Sequence, residues 1–110
     1  MCGITGIIVQ KSGYGVRHDE IERMNDTLAH RGPDGQGVYV SPDGRAGLGH
    51  RRLAVIDTSP AGSEPISNED GTVWLTFNGE IYNYRKLRSD LIFRGHYFKT
   101  QTDAEVIIHL

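Results

Sequence analysis

The only cysteine of this 110-residue chain is its second residue, Cys2, directly after Met1. Removal of Met1 would place the thiol beside a free α-amine, and an N-terminal amine can act as the base that activates a nucleophile. Because an α-amine is partly unprotonated near neutral pH, it can take the thiol proton directly or through a water molecule. Position alone also allows an ordinary alternative, in which Cys2 is a small apolar residue that begins a buried strand.

Three polar clusters follow in the chain, at the expected ends of strands or at the start of a helix: Arg51-Arg52, Asn78-Gly79-Glu80 and Thr102-Asp103. Each has a simple explanation when it is taken singly. Arg52 could be a surface cation, Asn78-Gly79 is a common turn dipeptide, and the helix dipole favours a carboxylate in a first turn. Taken together, the clusters supply what amide hydrolysis at a thiol requires.

The chemistry explains why these residue types matter. Acyl transfer builds negative charge on a carbonyl oxygen, and the Asn78 side-chain amide and the Gly79 N–H can donate hydrogen bonds to it. An amino-acid substrate also needs a cation for its carboxylate, and the planar guanidinium of Arg52 suits that group. Asp103 and Glu80 supply negative charge for the substrate ammonium. The set therefore favours a thiol-dependent amidase acting on an amino acid.

Composition limits the other classes of function. The net charge is −2 with both signs mixed, and 37% of residues are hydrophobic, which is typical of one soluble globular domain without a nucleic-acid or membrane partner. A single cysteine excludes an internal disulfide and fits a reducing, cytoplasmic location. The sequence contains no Cys-x-x-Cys or His-Glu-x-x-His motif of the kind that indicates a metal site. Gly13-x-Gly15 and Gly47-x-Gly49 lack the third glycine of a dinucleotide-binding motif.

Hydrophobic periodicity and turn residues predict roughly six strands and three helices. Strands are expected over 4–9, apolar on both faces, over 72–78 and 97–100, and in a hairpin spanning 37–50. A first helix is expected over 19–30, where Asp19 caps its start together with Glu22. A second helix is expected over 83–94 and should end at Gly95. A third helix is expected to begin at a capping box formed by Thr102 and Glu105. This order favours an α+β fold with mostly antiparallel sheet and helices on its faces.

Five segments together resemble one family, in the same order along the chain. They are Met1-Cys2-Gly3-Ile4-x-Gly6, Arg31-Gly32-Pro33-Asp34, Gly49-His50-Arg51-Arg52-Leu53-Ala54-Val55-Ile56-Asp57, Phe77-Asn78-Gly79-Glu80-Ile81-Tyr82-Asn83 and Thr102-Asp103-x-Glu105-Val106-Ile107. The resemblance is to the N-terminal glutaminase domain of glutamine-hydrolysing asparagine synthetases. These are class II glutamine amidotransferases of the N-terminal-nucleophile hydrolase superfamily.

The resemblance implies a four-layer αββα sandwich with two antiparallel sheets, and glutamine as the substrate. It implies catalysis by Cys2 with its own α-amine as base, and an oxyanion hole formed by Asn78 and Gly79. The implied substrate-binding residues are Arg52 for the carboxylate, Glu80 and Asp103 for the ammonium, and the backbone of Leu53, Ala54, Val55 and Ile56 as the pocket wall. No metal and no cofactor are implied in this domain.

The resemblance also implies a larger protein. The family's glutaminase domain is nearly twice this long, so residues 1–110 are expected to form one glutaminase domain that is truncated at its C-terminal end. A synthetase domain in cis, absent from this chain, would bind ATP, Mg²⁺ and aspartate and use the released ammonia to make asparagine. Two alternatives stay open: the same chemistry supplying a sugar or a polysaccharide-linked carboxylate, or an inactive interaction module whose exposed edge strand pairs with another copy as a homodimer.

Overall fold

The computed structural model describes residues 1–11, 13–54 and 60–110. The strands within these ranges are β1 (Gly3–Ile8), β2 (Gly35–Val40), β3 (Ala46–Arg52), β4 (Ile66–Ser67) and β5 (Trp74–Leu75). The helices are α1 (His18–Asp26), α2 (Tyr84–Phe93) and α3 (Glu105–His109), with a 3₁₀ turn at Pro60–Gly62. None of the described helices is long and apolar enough to cross a membrane. The predicted α+β class with antiparallel sheets is confirmed.

A three-stranded antiparallel sheet, ordered β1-β3-β2, forms the centre of the molecule. Its register pairs Gly3 with Arg51 across β1 and β3, and Gly35 with Arg52 across β2 and β3. The predicted hairpin is confirmed, and its turn closes with a hydrogen bond of 2.9 Å from Gly44 N to Ser41 O. Because β3 is the central strand, residues at its end are held by partners on both sides.

Helix α1 packs on one face of this sheet. Ile21 and Asn25 of α1 are fully buried there. The Asn25 side chain accepts a hydrogen bond from Thr5 Oγ1 at 2.9 Å and donates one to Gly37 O at 3.0 Å. A side chain at Gly49 would collide with the Thr5 hydroxyl and with Asn25, so this glycine allows the helix to approach the central strand.

The opposite face of the sheet carries a second, smaller layer formed by β4 and β5. The rings of Tyr39 and Trp74 stack across the two layers, with centroids 3.8 Å apart and planes 10° apart. The backbone of Glu64 lies directly against Gly37, and a Cβ on that glycine would overlap it. The two sheets therefore stack closely beside β2 and β3, the strands nearest the cavity described below.

Helices α2 and α3 pack together outside β5 and bury Leu91, Val106 and Ile108. Gly95 adopts a φ of 100° and ends α2 as predicted, with His96 N donating to Leu91 O at 3.0 Å. Helix α1 thus contacts the three-stranded sheet, and α3 of the second helix pair contacts β5 of the smaller sheet.

Some local predictions are wrong. Residues 97–100 form no strand, because Lys99 N and Thr100 N donate to the Glu105 carboxylate instead of a neighbouring strand. Glu105 therefore does not complete the predicted box with Thr102. The predicted strand over 72–78 shortens to Trp74–Leu75, since its partner β4 has only two residues.

The N-terminal elements also differ from expectation. Helix α1 is capped at Arg17, whose N–H donates to Glu20 Oε1 at 3.0 Å, and it ends at Asp26, before a run of turns. Strand β1 is not buried on both faces, because Ile4 is 49% exposed and Ile8 is 71% exposed. The reason is that β1 is an edge strand, while the second layer covers the side of the sheet near β2 and β3.

Candidate active site

A cavity of about 230 Å³ lies where the chain leaves β3 and β5 and enters α3. Its lining contains every predicted site residue that the structure describes: Cys2, Arg52, Leu53, Ala54, Asn78, Gly79, Glu80 and Asp103. The predicted residues Val55 and Ile56 lie outside the described residues. Four separate segments of the sequence thus meet at one cavity.

Strand pairing brings the thiol to the cavity. Because Gly3 pairs with Arg51 in antiparallel register, Cys2 lies beside the end of β3. The half-buried Cys2 Sγ accepts a hydrogen bond from Leu53 N at 3.3 Å and lies 3.6 Å from Leu53 O. Arg31 Nε donates to Cys2 O at 3.3 Å and fixes the backbone from the other side. The thiol is therefore held in place but remains at the cavity surface.

Arg52 supplies a buried cation at the same end of β3. The residue is only 7% exposed, and its Nη1 donates to Ser63 Oγ at 3.3 Å. Asp34 fixes the turn that follows it, since Asp34 N donates to Arg52 O and Asp34 Oδ2 accepts from Ala54 N, both at 2.9 Å. The Arg-Gly-Pro-Asp corner thus positions the cavity wall formed by Leu53 and Ala54.

The segment after β5 supplies hydrogen-bond donors. Asn78 is half-buried and Gly79 is exposed, and both line the cavity. Within the described parts of the chain, neither the Asn78 side-chain amide nor the Gly79 N–H donates a hydrogen bond. Both donors are therefore available to a ligand oxygen, which is what a developing oxyanion needs.

The two predicted carboxylates occupy different environments. Asp103 is 8% exposed and lies just before α3, where its Oδ2 accepts a hydrogen bond from Ile81 N at 2.7 Å. This bond ties the segment after β5 to the start of α3. Glu80 is exposed at the cavity rim. A ligand ammonium in the cavity would have one buried and one exposed carboxylate beside it.

Sequence reasoning missed two titratable residues in the cavity, His50 and Glu64. The Glu64 carboxylate accepts from Phe77 N at 2.7 Å, and its other oxygen lies 3.7 Å from His50 Nε2. His50 Nε2 lies 3.1 Å from Phe77 O, and because a carbonyl oxygen only accepts, this nitrogen carries the ring proton. The buried His50 Nδ1 has no hydrogen-bond partner among the described residues.

Burial acts in opposite directions on the pKa values of this acid and this base. Loss of solvent raises the Glu64 pKa to about 7; the nearby Asp103 adds to the shift, while the Phe77 N–H and Arg52 oppose it. Loss of solvent lowers the His50 pKa, with Arg52 adding to the effect and the hydrogen bond to Phe77 O opposing it. Near neutral pH the cavity therefore holds a neutral imidazole and a carboxyl group poised between its two forms.

One of these residues had a usable signal in the sequence. His50 precedes Arg52 by two positions in a strand, so the period-2 alternation places both side chains on the same face. Glu64 lies in a loop between Gly62 and Pro65, where no periodicity indicates which way a side chain points.

Comparison with known proteins agrees with this geometry. A model of the family described as "Glutamine amidotransferase domain" matches residues 1–110. The chain is 42% identical over 110 residues to asparagine synthetase [glutamine-hydrolyzing] 1 of Bacillus subtilis (strain 168), covering 98% of this chain and 17% of that protein. It is 44% identical over 111 residues to a probable asparagine synthetase [glutamine-hydrolyzing] of Dictyostelium discoideum, covering 100% of this chain and 19% of that protein.

A plant relative gives the same result. Asparagine synthetase [glutamine-hydrolyzing] 1 of Arabidopsis thaliana is 42% identical over 110 residues, which cover 100% of this chain and 18% of that protein. The chain thus spans about a fifth of the length of these curated relatives. Because the family model covers every residue from 1 to 110, the chain belongs to the glutamine amidotransferase domain family.

Proposed function

We propose that this chain hydrolyses the side-chain amide of glutamine to glutamate and ammonia through a thioester on Cys2. The observation that carries the proposal is that one cavity contains three kinds of group: a thiol hydrogen-bonded to Leu53 N, two hydrogen-bond donors without an acceptor among the described residues, and a buried guanidinium. Each of these groups answers one requirement of amide hydrolysis. Family membership supports glutamine as the amide donor.

The chemistry begins at the N-terminus. Once Met1 is removed, the Cys2 α-amine takes the thiol proton, and Sγ attacks the carboxamide carbon of glutamine. The carbonyl oxygen becomes an oxyanion, which the Asn78 side-chain amide and the Gly79 N–H stabilise. The carbon–nitrogen bond then breaks and ammonia leaves with the proton held by the α-amine. Water attacks the resulting γ-glutamyl thioester, releasing glutamate and restoring the thiol.

Substrate recognition uses the charges around the cavity. The guanidinium of Arg52 binds the α-carboxylate of glutamine, because its planar fork matches a carboxylate. Asp103 and Glu80 bind the α-ammonium from the opposite side. Leu53 and Ala54 form the wall along the aliphatic part of the substrate.

The proposal also includes the type of fold to which this chain belongs. The contacts of α1 with the three-stranded sheet and of α3 with β5 of the smaller sheet support a four-layer αββα sandwich of the N-terminal-nucleophile hydrolase type. Cys2 then lies at the start of an edge strand of one sheet, beside the central strand that carries Arg52.

The proposed destination of the ammonia is asparagine synthesis from aspartate and ATP. The similar curated proteins are named glutamine-hydrolysing asparagine synthetases, and this chain spans about a fifth of their length. In a protein of that length, a synthetase domain in cis would bind ATP and Mg²⁺ and receive the ammonia. The glutaminase step described here needs neither of them.

The test is glutamate release from glutamine by the wild-type chain and by Cys2→Ala, with Met1 removal verified by intact mass. We expect release by the wild type and none by Cys2→Ala, together with a γ-glutamyl adduct that only the wild type forms. Equal rates for the two proteins would overturn the nucleophile assignment. In a second arm, Asn78→Ala should lower kcat by about 10²–10³-fold. Asn83→Ala, an exposed asparagine outside the cavity lining, is its matched control.

A further inference from the structure

A second group of titratable side chains lies away from the cavity and is not used in glutamine hydrolysis. It consists of Glu69, in the turn after β4, His96, just after α2, and His109, in α3. One ligand atom from each residue lies within 4.8 Å of the others. Three segments that are distant in the sequence therefore present two imidazoles and one carboxylate to the same point.

His109 is the buried member of this group, and its tautomer follows from its neighbours. Its side chain is 1% exposed, and its Nε2 lies 3.2 Å from Glu105 Oε2. The Glu105 carboxylate also accepts from Lys99 N at 2.8 Å and Thr100 N at 2.7 Å, so it acts only as an acceptor. His109 Nε2 therefore carries a proton and donates it to Glu105.

The other ring nitrogen of His109 has no satisfactory partner. Nδ1 lies 3.1 Å from Glu69 Oε1, yet among the described residues it makes no hydrogen bond. When Nε2 holds the ring proton of a neutral imidazole, the unprotonated Nδ1 lies beside a carboxylate oxygen, and two electron-rich atoms at this distance repel. A positive charge between them removes the conflict. Only a second ring proton or a bound cation can provide it.

Glu69 faces both imidazoles at once. Its Oε2 lies 3.0 Å from His96 Nδ1 and accepts from Tyr97 N at 3.0 Å. The Glu69 carboxylate thus places one oxygen beside each imidazole, Oε1 at His109 and Oε2 at His96.

We propose that Glu69, His96 and His109 bind one Zn²⁺ ion, with water as the fourth ligand. Zinc takes imidazole nitrogen and carboxylate oxygen in tetrahedral sites, commonly with three protein ligands and one water. A histidine that binds zinc typically donates its other N–H to a carboxylate, and Glu105 already occupies that position beside His109. Small movements of Glu69 and His96, which are 36% and 37% exposed, complete the coordination and let the ion enter.

The proposed zinc site has a structural consequence for the cavity. It would join the turn after β4 to α3, and Asp103 lies two residues before the first residue of α3. Zinc would therefore hold the segment that carries Asp103 against the second sheet. The site itself does not depend on the proposed glutamine hydrolysis.

The experiment measures zinc binding to the Cys2→Ala chain, because the free thiolate of the wild type also binds zinc. Isothermal titration calorimetry is expected to give one zinc ion per chain and no binding of Mg²⁺. Cobalt in place of zinc should give the intense visible absorption of a tetrahedral site. His96→Gln and Glu69→Gln should each weaken zinc binding at least tenfold, since losing even a hydrogen-bond partner of a ligand costs about 10–100-fold.

The matched control is His18→Gln. His18 Nδ1 also lies near a carboxylate, 3.2 Å from Glu22 Oε1, but it forms a surface pair on α1 without a third ligand. Zinc affinity should not change in this variant, and circular dichroism should show all variants folded. No stoichiometric binding, wild-type affinity in both His96→Gln and Glu69→Gln, or an equal loss in His18→Gln would each overturn the proposal. Glutamate release is not a readout here, so this test is independent of the proposed function.

Discussion

The two most buried histidines, His50 and His109, each lie beside a glutamate, yet the pKa values of the two glutamates are shifted in opposite directions. At the cavity, the Glu64 pKa is raised to about 7. At α3, burial alone would raise the Glu105 pKa, but hydrogen bonds from Thr100, Lys99 and His109 outweigh it, so the pKa is lowered. Beside a buried histidine, a glutamate therefore titrates near neutral pH in one place and stays a hydrogen-bonded carboxylate in the other.

The number of donors explains the difference. Glu105 accepts from two backbone N–H groups and from the His109 ring. Glu64 accepts from one backbone N–H group, and the nearby Asp103 disfavours a second negative charge. Hydrogen bonds to the charged form lower a carboxyl pKa, whereas burial and a like charge raise it. Burial therefore does not decide by itself whether a carboxylate serves structure or remains able to exchange protons.

The largest expected effect is on stability, from Glu105→Ala. The substitution leaves Lys99 N, Thr100 N and His109 Nε2 without their acceptor. A buried donor left without its acceptor costs about 1–3 kcal/mol, so with three such donors the free energy of unfolding at pH 7 should fall by about 4 kcal/mol. Urea denaturation followed by circular dichroism measures it.

Glu22→Ala is the matched control, because Glu22 also lies four residues from its histidine in a helix but at the surface. Exposed pairs contribute about 0–1 kcal/mol, and this variant should stay within about 0.5 kcal/mol of the wild type. If Glu105→Ala were as stable as Glu22→Ala, the donors around Glu105 would not hold α3, and the contrast with Glu64 would fail.

The next effect is a pH-dependent gain in stability from Glu64→Gln. The folded-state pKa of Glu64 is raised from 4.5 to about 7, so the folded chain binds more protons than the unfolded chain between these values. The contribution of Glu64 to wild-type stability should therefore fall as pH rises through this window. Relative to the wild type, the free energy of unfolding of the glutamine variant should rise by on the order of 3 kcal/mol between pH 4.5 and pH 8, since one pKa unit corresponds to about 1.4 kcal/mol.

Urea denaturation of both proteins across this pH range gives the difference. Glu80→Gln, at the exposed rim of the same cavity, is the control and should show no comparable gain. A parallel pH profile for wild type and Glu64→Gln would mean that the pKa of Glu64 in the folded chain is not raised above its unfolded value. The two buried glutamates would then be alike.

These two glutamates also show how far the sequence leads. The meeting of Cys2, Arg52, Asn78 and Asp103 could be predicted, because each residue sits at the end of an element whose type was readable. A local pattern predicted that Glu105 forms a capping box with Thr102. In the structure the Glu105 carboxylate accepts hydrogen bonds from Lys99 N and Thr100 N instead, and local patterns do not reveal these contacts.

The remaining misses have similar physical causes. The segment 97–100 has the residue types of a strand, but its N–H groups find a side-chain acceptor rather than a strand partner. Ile4 and Ile8 look like buried strand residues, yet their burial depends on which strand the second sheet covers. Tertiary placement, not intrinsic preference, decides these positions, and Glu64 is the clearest example.

The smallest expected effect comes from His50→Leu. Loss of the hydrogen bond to Phe77 O is partly offset by removal of the unpaired Nδ1, so the cost at pH 7.5 should be about 1 kcal/mol. Burial lowers the folded-state pKa of His50 below 6.5, so the unfolded chain binds more protons and the contribution of His50 to stability is lost as pH falls through that value. The cost of the substitution should therefore shrink between pH 7.5 and pH 5.5.

Because Glu64 titrates in the same window with the opposite sign, the His50→Leu measurement belongs in the Glu64→Gln background, where only the histidine contributes. His18→Gln in that background is the surface control and should change the free energy of unfolding by less than about 0.5 kcal/mol. A cost of His50→Leu that stays constant as pH falls would show that the pKa of His50 is not lowered in the folded chain, and a cost that grows would show that the folded chain holds His50 protonated. In either case burial would not decide the pKa of the cavity histidine, and the difference between the two sites would rest on the glutamates alone.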